Sequence, residues 1–333
     1  MTRTSLIVLL VSLLFTAGLS CGGTSPGVND RVNSYAYANA PGSQIFAVPR
    51  GGGTPVLLVG TDLPSEDIGR GFAFDGATAY FSDATPSASS LRSIPVAGGT
   101  PSTLVTGLGT VFDLVVDAQS MYFINMSTDV ASGSVTEFIG KAPLEGGPFE
   151  MLVPSPSAPP LALAVSAGYL YWSDGGGAVN RVATAGGDVE TLASNQGAIY
   201  DIAVDQSGVY WTNQGQGSVD CGSSGGSIVA LMFGSSHPIT LVGGLDNVGS
   251  ILVSGGALYF SFDGQIGCNG IGGAGAGAVA RIVPATAPPP STPLATGLQF
   301  PSNLFVDGAT FYYTTVTDTF HYVLAPHAVT LAN

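Results

Sequence analysis

The sequence predicts an all-β fold, a β-propeller, and three observations predict it. A strand–turn–strand unit recurs six times with constant internal spacing. The units follow one another at intervals of about 40–50 residues, the period of a propeller blade. The composition also fits: 45% of residues are hydrophobic, only 9% are charged, and 48 are Gly. Such a chain is too apolar for disorder, and its Gly, Val, Thr and aromatic residues suit short buried strands joined by tight turns.

The recurring unit reads Phe72-Ala73-Phe74-Asp75 then Ala79-Tyr80-Phe81, and Leu114-Val115-Val116-Asp117 then Met121-Tyr122-Phe123. It continues as Leu163-Ala164-Val165-Ser166 with Leu170-Tyr171-Trp172, and Ile202-Ala203-Val204-Asp205 with Val209-Tyr210-Trp211. Ile251-Leu252-Val253-Ser254 with Leu258-Tyr259-Phe260 and Leu304-Phe305-Val306-Asp307 with Phe311-Tyr312-Tyr313 complete it. In all six the polar turn residue stands five positions before the Tyr. This constancy marks a hairpin of fixed length, so Asp75, Asp117, Asp205 and Asp307 read as turn formers.

Third strands are expected at Ile45–Pro49, Leu91–Val96, Phe138–Leu144, Val179–Thr184, Ile228–Phe233, Val279–Pro284 and His321–Ala325. Fourth strands are expected at Val56–Val59, Thr103–Val105, Glu150–Val153, Val189–Ala193, Ile239–Val242, Pro293–Ala295 and Val329–Leu331. Paired glycines such as Gly98-Gly99, Gly146-Gly147 and Gly186-Gly187 supply the positive φ of the turns between them. An inner strand is clear only six times. The opening unit around Tyr35–Asn39 would take its inner strand from Val28–Arg31. Seven four-stranded blades is the expected count, with six and an irregular edge as the alternative.

Tyr171-Trp172-Ser173-Asp174 and Tyr210-Trp211-Thr212-Asn213 resemble the strands of YWTD propellers, and the layout over residues 34–333 is similar to NHL, TolB-like and streptogramin-lyase-like propellers. Asp83 and Asp174 keep the final acid, while Asn39, Asn125 and Asn213 replace it. The resemblance implies that these polar residues tie neighbouring blades together. Trp172 and Trp211 are expected to pack between blades.

Ahead of the repeats lies a leader. Arg3 precedes an apolar run, Leu6–Ala17, too short for a bilayer span of roughly 20 residues, and small residues lead to Ser20. This is the pattern of a secretory signal peptide over residues 1–20. Cys21 follows at once, and the segment resembles a bacterial lipoprotein signal, which implies lipidation of Cys21 and a tether over residues 21–33. Gly22 in place of Asp is similar to the pattern sent to the outer membrane. A secreted or periplasmic protein is the alternative. The membrane is then reached through the lipid anchor only.

The formal net charge is −14. Nucleic acid is excluded as a partner, because its binding depends on Lys and Arg neutralising phosphates.

The loops between second and third strands vary, with insertions at Met126–Thr136, Gln214–Gly226 and Asp263–Gly277. Variable loops on a rigid scaffold are where binding usually resides, so a protein, glycan or small-molecule partner is expected on that face. Cys221 and Cys268 fall in two of these insertions and are expected to form a disulfide. No His stands in either loop, which disfavours zinc.

One constellation could carry chemistry. The residues three before the aligned Val or Phe of each inner strand are Gly71, Asp113, Ala162, Asp201, Ser250 and Asn303. They should ring the channel mouth on the variable face. No cofactor is expected, with Ca²⁺ or Mg²⁺ as the alternative, for which Asp113, Asp201 and Asn303 offer oxygen ligands. This arrangement resembles the channel-mouth metal site of gluconolactonase-like propellers, which implies a metal activating water for ester or lactone hydrolysis. His237, His321 and His327 map away from that face and argue against a Ser-His-Asp triad. Gly272–Gly277 precedes no helix and is not a phosphate loop. The sequence therefore favours an exported, non-catalytic binding or interaction module, with a metal-dependent lactonase- or esterase-like hydrolase as the alternative.

Overall fold

The computed structural model describes residues 34–39, 44–49, 54–59, 67–84, 89–128, 134–214, 225–245, 247–262, 277–284, 291–318 and 323–331. Among them there is no helix, and twenty-six strands form seven antiparallel sheets. The first holds β1 (Ser34–Asn39), β2 (Gln44–Pro49) and β3 (Val56–Val59). The second holds β4 (Asp67–Phe74), β5 (Thr78–Ala84), β6 (Ser89–Pro95) and β7 (Ser102–Leu108), and the third β8 (Thr110–Val116), β9 (Ser120–Thr128), β10 (Val135–Pro143) and β11 (Glu150–Val153). The fourth holds β12 (Pro160–Ser166), β13 (Tyr169–Asp174), β14 (Val179–Ala183) and β15 (Glu190–Ala193). The fifth holds β16 (Ile199–Val204), β17 (Gly208–Asn213), β18 (Gly226–Met232) and β19 (Ile239–Leu245). The sixth holds β20 (Val248–Ser254), β21 (Ala257–Phe262), β22 (Gly277–Ile282) and β23 (Thr292–Leu298). The seventh holds β24 (Ser302–Asp307), β25 (Thr310–Asp318) and β26 (Val323–Thr330).

Five sheets have four strands in sequential order, and the first and last have three. Strands β4, β8, β12, β16, β20 and β24 are the innermost, each packed against the next. Phe305 on β24 meets Phe74 on β4 edge-on at 5.7 Å and closes this inner ring. The first sheet sits beside that junction, with Phe46 and Val48 packed on Tyr312 and Phe305. Six inner strands support the six-blade count with an irregular edge, and not seven four-stranded blades. Two sequence features account for the difference. The third and fourth strands expected at the C-terminal end are one strand, β26, and Val28–Arg31 lies outside the described residues.

The core is divided among the seams between sheets. Trp172 sits with Val115, Tyr122 and Ile139 of the third sheet, and Trp211 with Ala162, Tyr171 and Val179 of the fourth. Both indoles are buried, as the repeat predicts. Burying such large side chains at every seam is what makes adjacent blades cohere. Among the described residues no helix is long and apolar enough to cross a membrane.

Candidate functional site

The six inner strands share one irregularity. Each is out of register with its second strand at the same place, between Ile68 and Phe72, Val111 and Asp113, Pro160 and Ala162, Ile199 and Asp201, Val248 and Ile251, and Ser302 and Phe305. Such a bulge leaves a backbone group without its ladder partner. In the fifth and sixth sheets the hydroxyl two residues after the repeat Tyr meets that need. Thr212 Oγ1 accepts the Asp201 N–H at 3.1 Å and Ser261 Oγ the Ser250 N–H at 3.1 Å. Thr212 also donates to Gly249 O in the next sheet at 3.0 Å.

The bulge aims the ring residues sideways, along the seam. Asp113 Oδ1 accepts the Leu114 N–H at 2.8 Å, and Oδ2 accepts the Leu163 N–H of the next sheet at 2.7 Å. Asp201 repeats the arrangement, with Ile202 at 2.8 Å and Ile251 of the next sheet at 2.9 Å. Asn303 donates from Nδ2 to Thr314 Oγ1 at 2.8 Å. Around the ring, acid or amide alternates with a small residue, since Gly71, Ala162 and Ser250 occupy the intervening strands. At Gly71 the small residue is required, because a Cβ there would stand 2.7 Å from Val111 Cγ1.

The two acids of the expected channel-mouth ring are buried. Asp113 and Asp201 lie in the wall of the ring at 1% and 4% exposure. Burial pushes both carboxyls up to about 7, against the pull of their backbone donors, and the Asp113 charge raises Asp201 further. The Asp113 and Asp201 oxygens that would ligate a cation are committed to joining strands. Among the described residues no three His, Cys, Asp or Glu stand together. The donor set as it stands therefore does not fit a Ca²⁺ or Mg²⁺ cage, and no catalytic step is derived through one.

Asp174 behaves differently from the blade tie that the YWTD resemblance implies. Asp174 accepts the N–H groups of Gly176 and Ala178 and the Asn180 amide, all within its own sheet. Asp83 pairs with Arg92 of its own sheet at 3.0 Å. Asp113 and Asp201 do tie neighbouring sheets. Their register could be read from the sequence, but their partners, fifty residues downstream, could not.

The concave site lies at the opposite end of the ring, where the inner strands turn back. A cavity of about 600 Å³ is floored by Val116, Val165, Val204 and Val253 and walled by the four turns that follow them. Two wall turns are built on Asp. Asp117 Oδ1 accepts the Gln119 and Ser120 N–H groups, and Oδ2 accepts the Tyr122 hydroxyl at 2.8 Å. Asp205 Oδ1 accepts the Ser207 and Gly208 N–H groups, and the Tyr210 hydroxyl turns to that same oxygen at 3.3 Å. The other two turns start at Ser166 and Ser254, and each carries two residues at positive φ, Ala167 and Gly168 (50° and 80°) or Gly255 and Gly256 (58° and 74°). That pair of left-handed residues is the signature of a tight hairpin turn. The turn reading of Asp75, Asp117 and Asp205 is borne out, and the Tyr five residues on is explained as the partner of the carboxyl.

Among the described residues no Lys, Arg, His or Cys lines the cavity. His237 is exposed in the turn after β18, and His327 on β26 bonds Thr315 Oγ1 at 2.8 Å. Cys21, Cys221, Cys268, His321 and most of the three variable insertions lie outside the described residues. Val precedes the turn residue in five consecutive units, so the pattern does not single out the four that line the cavity.

No protein-family model matches the chain, and no curated protein does. Solved structures do. A prolyl endopeptidase is similar at 16% identity and a TM-score of 0.57 over 97% of this chain, which spans only 52% of that one. An oligogalacturonate lyase in complex with manganese is similar at 10% identity and a TM-score of 0.58, over 87% of this chain and 83% of that one. The computationally designed Ika8 protein is similar at 10% identity and a TM-score of 0.58, over 94% and 98%. At these identities the likeness is one of fold, and the fold is a β-propeller.

Proposed function

We propose that this chain is an exported β-propeller, anchored through Cys21, that binds a ligand without transforming it. The observation that carries this reading is the turn-face cavity, which has room for a small molecule and, among the described residues, no nucleophile–base pair. The carboxyls in its walls are engaged by their own turns, and among the described residues no imidazole, thiol or amine lines it to exchange a proton with them. The variable face, where Cys221 and Cys268 would pin two loops, is the second surface open to a partner, protein or glycan.

The rival reading is a cation-dependent hydrolase using Asp113, Asp201 and Asn303. Manganese is named with the oligogalacturonate lyase alone, and the buried, strand-joining carboxyls here weigh against that chemistry. Incubating the full chain with lactone and aryl-ester substrates, with and without Ca²⁺, Mg²⁺ or Mn²⁺, decides between them. No turnover is expected, and metal-dependent turnover lost in Asp201→Ala would overturn the binding reading. For the anchor, Cys21→Ser should release the protein from the membrane fraction. For the cysteine pair, two titratable thiols in the unfolded, unreduced protein would sink the disulfide.

A further inference from the structure

Three sheets carry a basic residue opposite the repeat Tyr. The cross-strand rows read Tyr122, Lys141, Glu150 in the third sheet and Tyr171, Arg181, Glu190 in the fourth. In the sixth the row reads Tyr259, Arg281, Thr292. Residues directly opposite one another on antiparallel strands point to the same face and lie within side-chain reach. The same chemical row is therefore built three times, and its third copy differs.

In the first two rows the outer acid neutralises the cation. Lys141 Nζ stands 3.4 Å from Glu150 and donates to Thr184 O of the next sheet at 2.8 Å. Arg181 gives Nη2 and Nε to Glu190 at 2.7 and 2.8 Å, and the Tyr169 ring lies 4.7 Å from its Cζ. The sixth sheet lacks both partners. Thr292 stands where the acid would be, and Ala257, opposite the turn Ser as Tyr169 is, stands where the ring would be. Among the described residues Arg281 has no ion pair, no ring over it and no side-chain hydrogen bond. Its Nε is enclosed without a partner, its terminal nitrogens are not enclosed, and Thr292 opposite it is exposed.

The neighbouring donor has lost its acceptor too. Tyr80, Tyr122 and Tyr210 give their hydroxyls to the turn Asp five residues before them. Before Tyr259 that residue is Ser254, and the Tyr259 hydroxyl has no hydrogen bond among the described residues, although the residue is only 3% exposed. The sixth sheet thus keeps two donors of the repeat and lacks the two carboxylates that serve them elsewhere. A guanidinium that has given up part of its water and received no acceptor forgoes a charge-assisted hydrogen bond. A carboxylate brought from outside restores it. The net charge of −14 opposes an anion at a distance, but such fields are screened beyond about 8 Å at physiological ionic strength. Contact with the guanidinium is made well inside that range.

We propose that Arg281 is the centre of a binding site for a small organic carboxylate, which takes the place that Glu190 holds beside Arg181. Val283, two residues along and 38% exposed, offers apolar surface to the body of such an acid. The site goes beyond the turn-face cavity, whose lining includes none of Tyr259, Arg281 and Thr292.

The test titrates benzoate and its neutral counterpart benzamide into the full chain at constant ionic strength, with sodium chloride as the reference salt. Affinity is read by calorimetry, and the place of binding by the Nε–H resonance of Arg281, assigned through its loss in Arg281→Lys. Benzoate is expected to shift that resonance saturably and to bind at least about tenfold tighter than benzamide, the worth of a charge-assisted contact. Thr292→Glu leaves Arg281 in place and supplies the carboxylate within the chain. Its melting temperature should hold or rise while benzoate binding is lost.

Equal effects of benzoate and benzamide, a like shift from chloride, or no shift at all overturns the carboxylate site. Undiminished benzoate binding in Thr292→Glu overturns it as well, and so does a lowered melting temperature, since the introduced acid would then not meet Arg281. A hexaglutamate peptide that moves the resonance where benzoate does not would overturn the small acid in favour of a protein's acidic side chain.

Discussion

The Asp113 carboxylate accepts the Leu163 backbone N–H at 2.7 Å, across the seam between the third and fourth sheets. Asp201 makes the same bond to Ile251 between the fifth and sixth. A propeller blade contacts only its neighbours, so its stability depends on such seams. Each carboxyl also holds its own strand through Leu114 or Ile202.

Replacing Asp113 or Asp201 with Ala leaves two buried backbone donors without an acceptor. The expected cost is about 1–3 kcal/mol for either substitution, read as a lowered urea midpoint with an unchanged slope. Asp→Asn should cost a similar amount, because the amide turns an N–H toward an N–H. Wild-type stability in the Ala variants would show that the seams are held by the indoles and valines alone.

The same two groups set a pH dependence. Burial lifts both to about 7 in the folded protein, while an exposed Asp in the unfolded chain sits near about 3.9. Between those values the folded protein keeps protons that the unfolded chain has released. Their contribution to stability is therefore full on the acid side and is lost as pH rises through about 7. Denaturation midpoints should fall between about pH 4 and about pH 7 and then level off. Asp113→Asn should flatten part of that slope, and should lower the titration of Asp201 by removing a neighbouring charge. A level wild-type profile would contradict a burial-raised pair.

How much of this the sequence discloses depends on the range of the interaction. The hairpins were legible because the turn Asp and its Tyr partner are five residues apart, within one local unit. Trp172 and Trp211 were legible as seam residues because a large aromatic at a fixed repeat position has few other places to go. The ring of Asp113, Asp201 and Asn303 was legible as a ring, and the burial of Asp113 and Asp201 in its wall was not. Its side chains are aimed by a bulge, and their partners lie on the next blade. The count of blades was blurred at the ends, where β26 fuses two expected strands. The cavity was legible only once closure brought four turns together.

Cation titration tests the committed state of the ring directly. An ion bound to the folded protein alone would raise its melting temperature by mass action. With the Asp113 and Asp201 oxygens occupied by four backbone donors, millimolar Ca²⁺ or Mg²⁺ should leave the melting temperature within about one degree of the control. A larger rise that disappears in Asp201→Ala would restore the metal site and the hydrolase reading with it.

The repeat hydroxyls offer a contrast between equivalent positions. Ser173 and Thr212 both follow the repeat Tyr by two residues, and both are wholly buried. Thr212 Oγ1 accepts from Asp201 and donates across the seam to Gly249. Ser173 Oγ has no partner among the described residues. A buried hydroxyl without a partner keeps its desolvation cost and gains nothing in return, whereas a satisfied one that is removed strands the groups it served. Thr212→Val is accordingly expected to destabilise by about 1–3 kcal/mol. Ser173→Ala should be neutral or stabilising by up to about 1 kcal/mol. Equilibrium unfolding of the two variants side by side measures the difference. A loss at Ser173 as large as that at Thr212 would mean that Ser173 is served by an ordered water bridging it to the neighbouring strand.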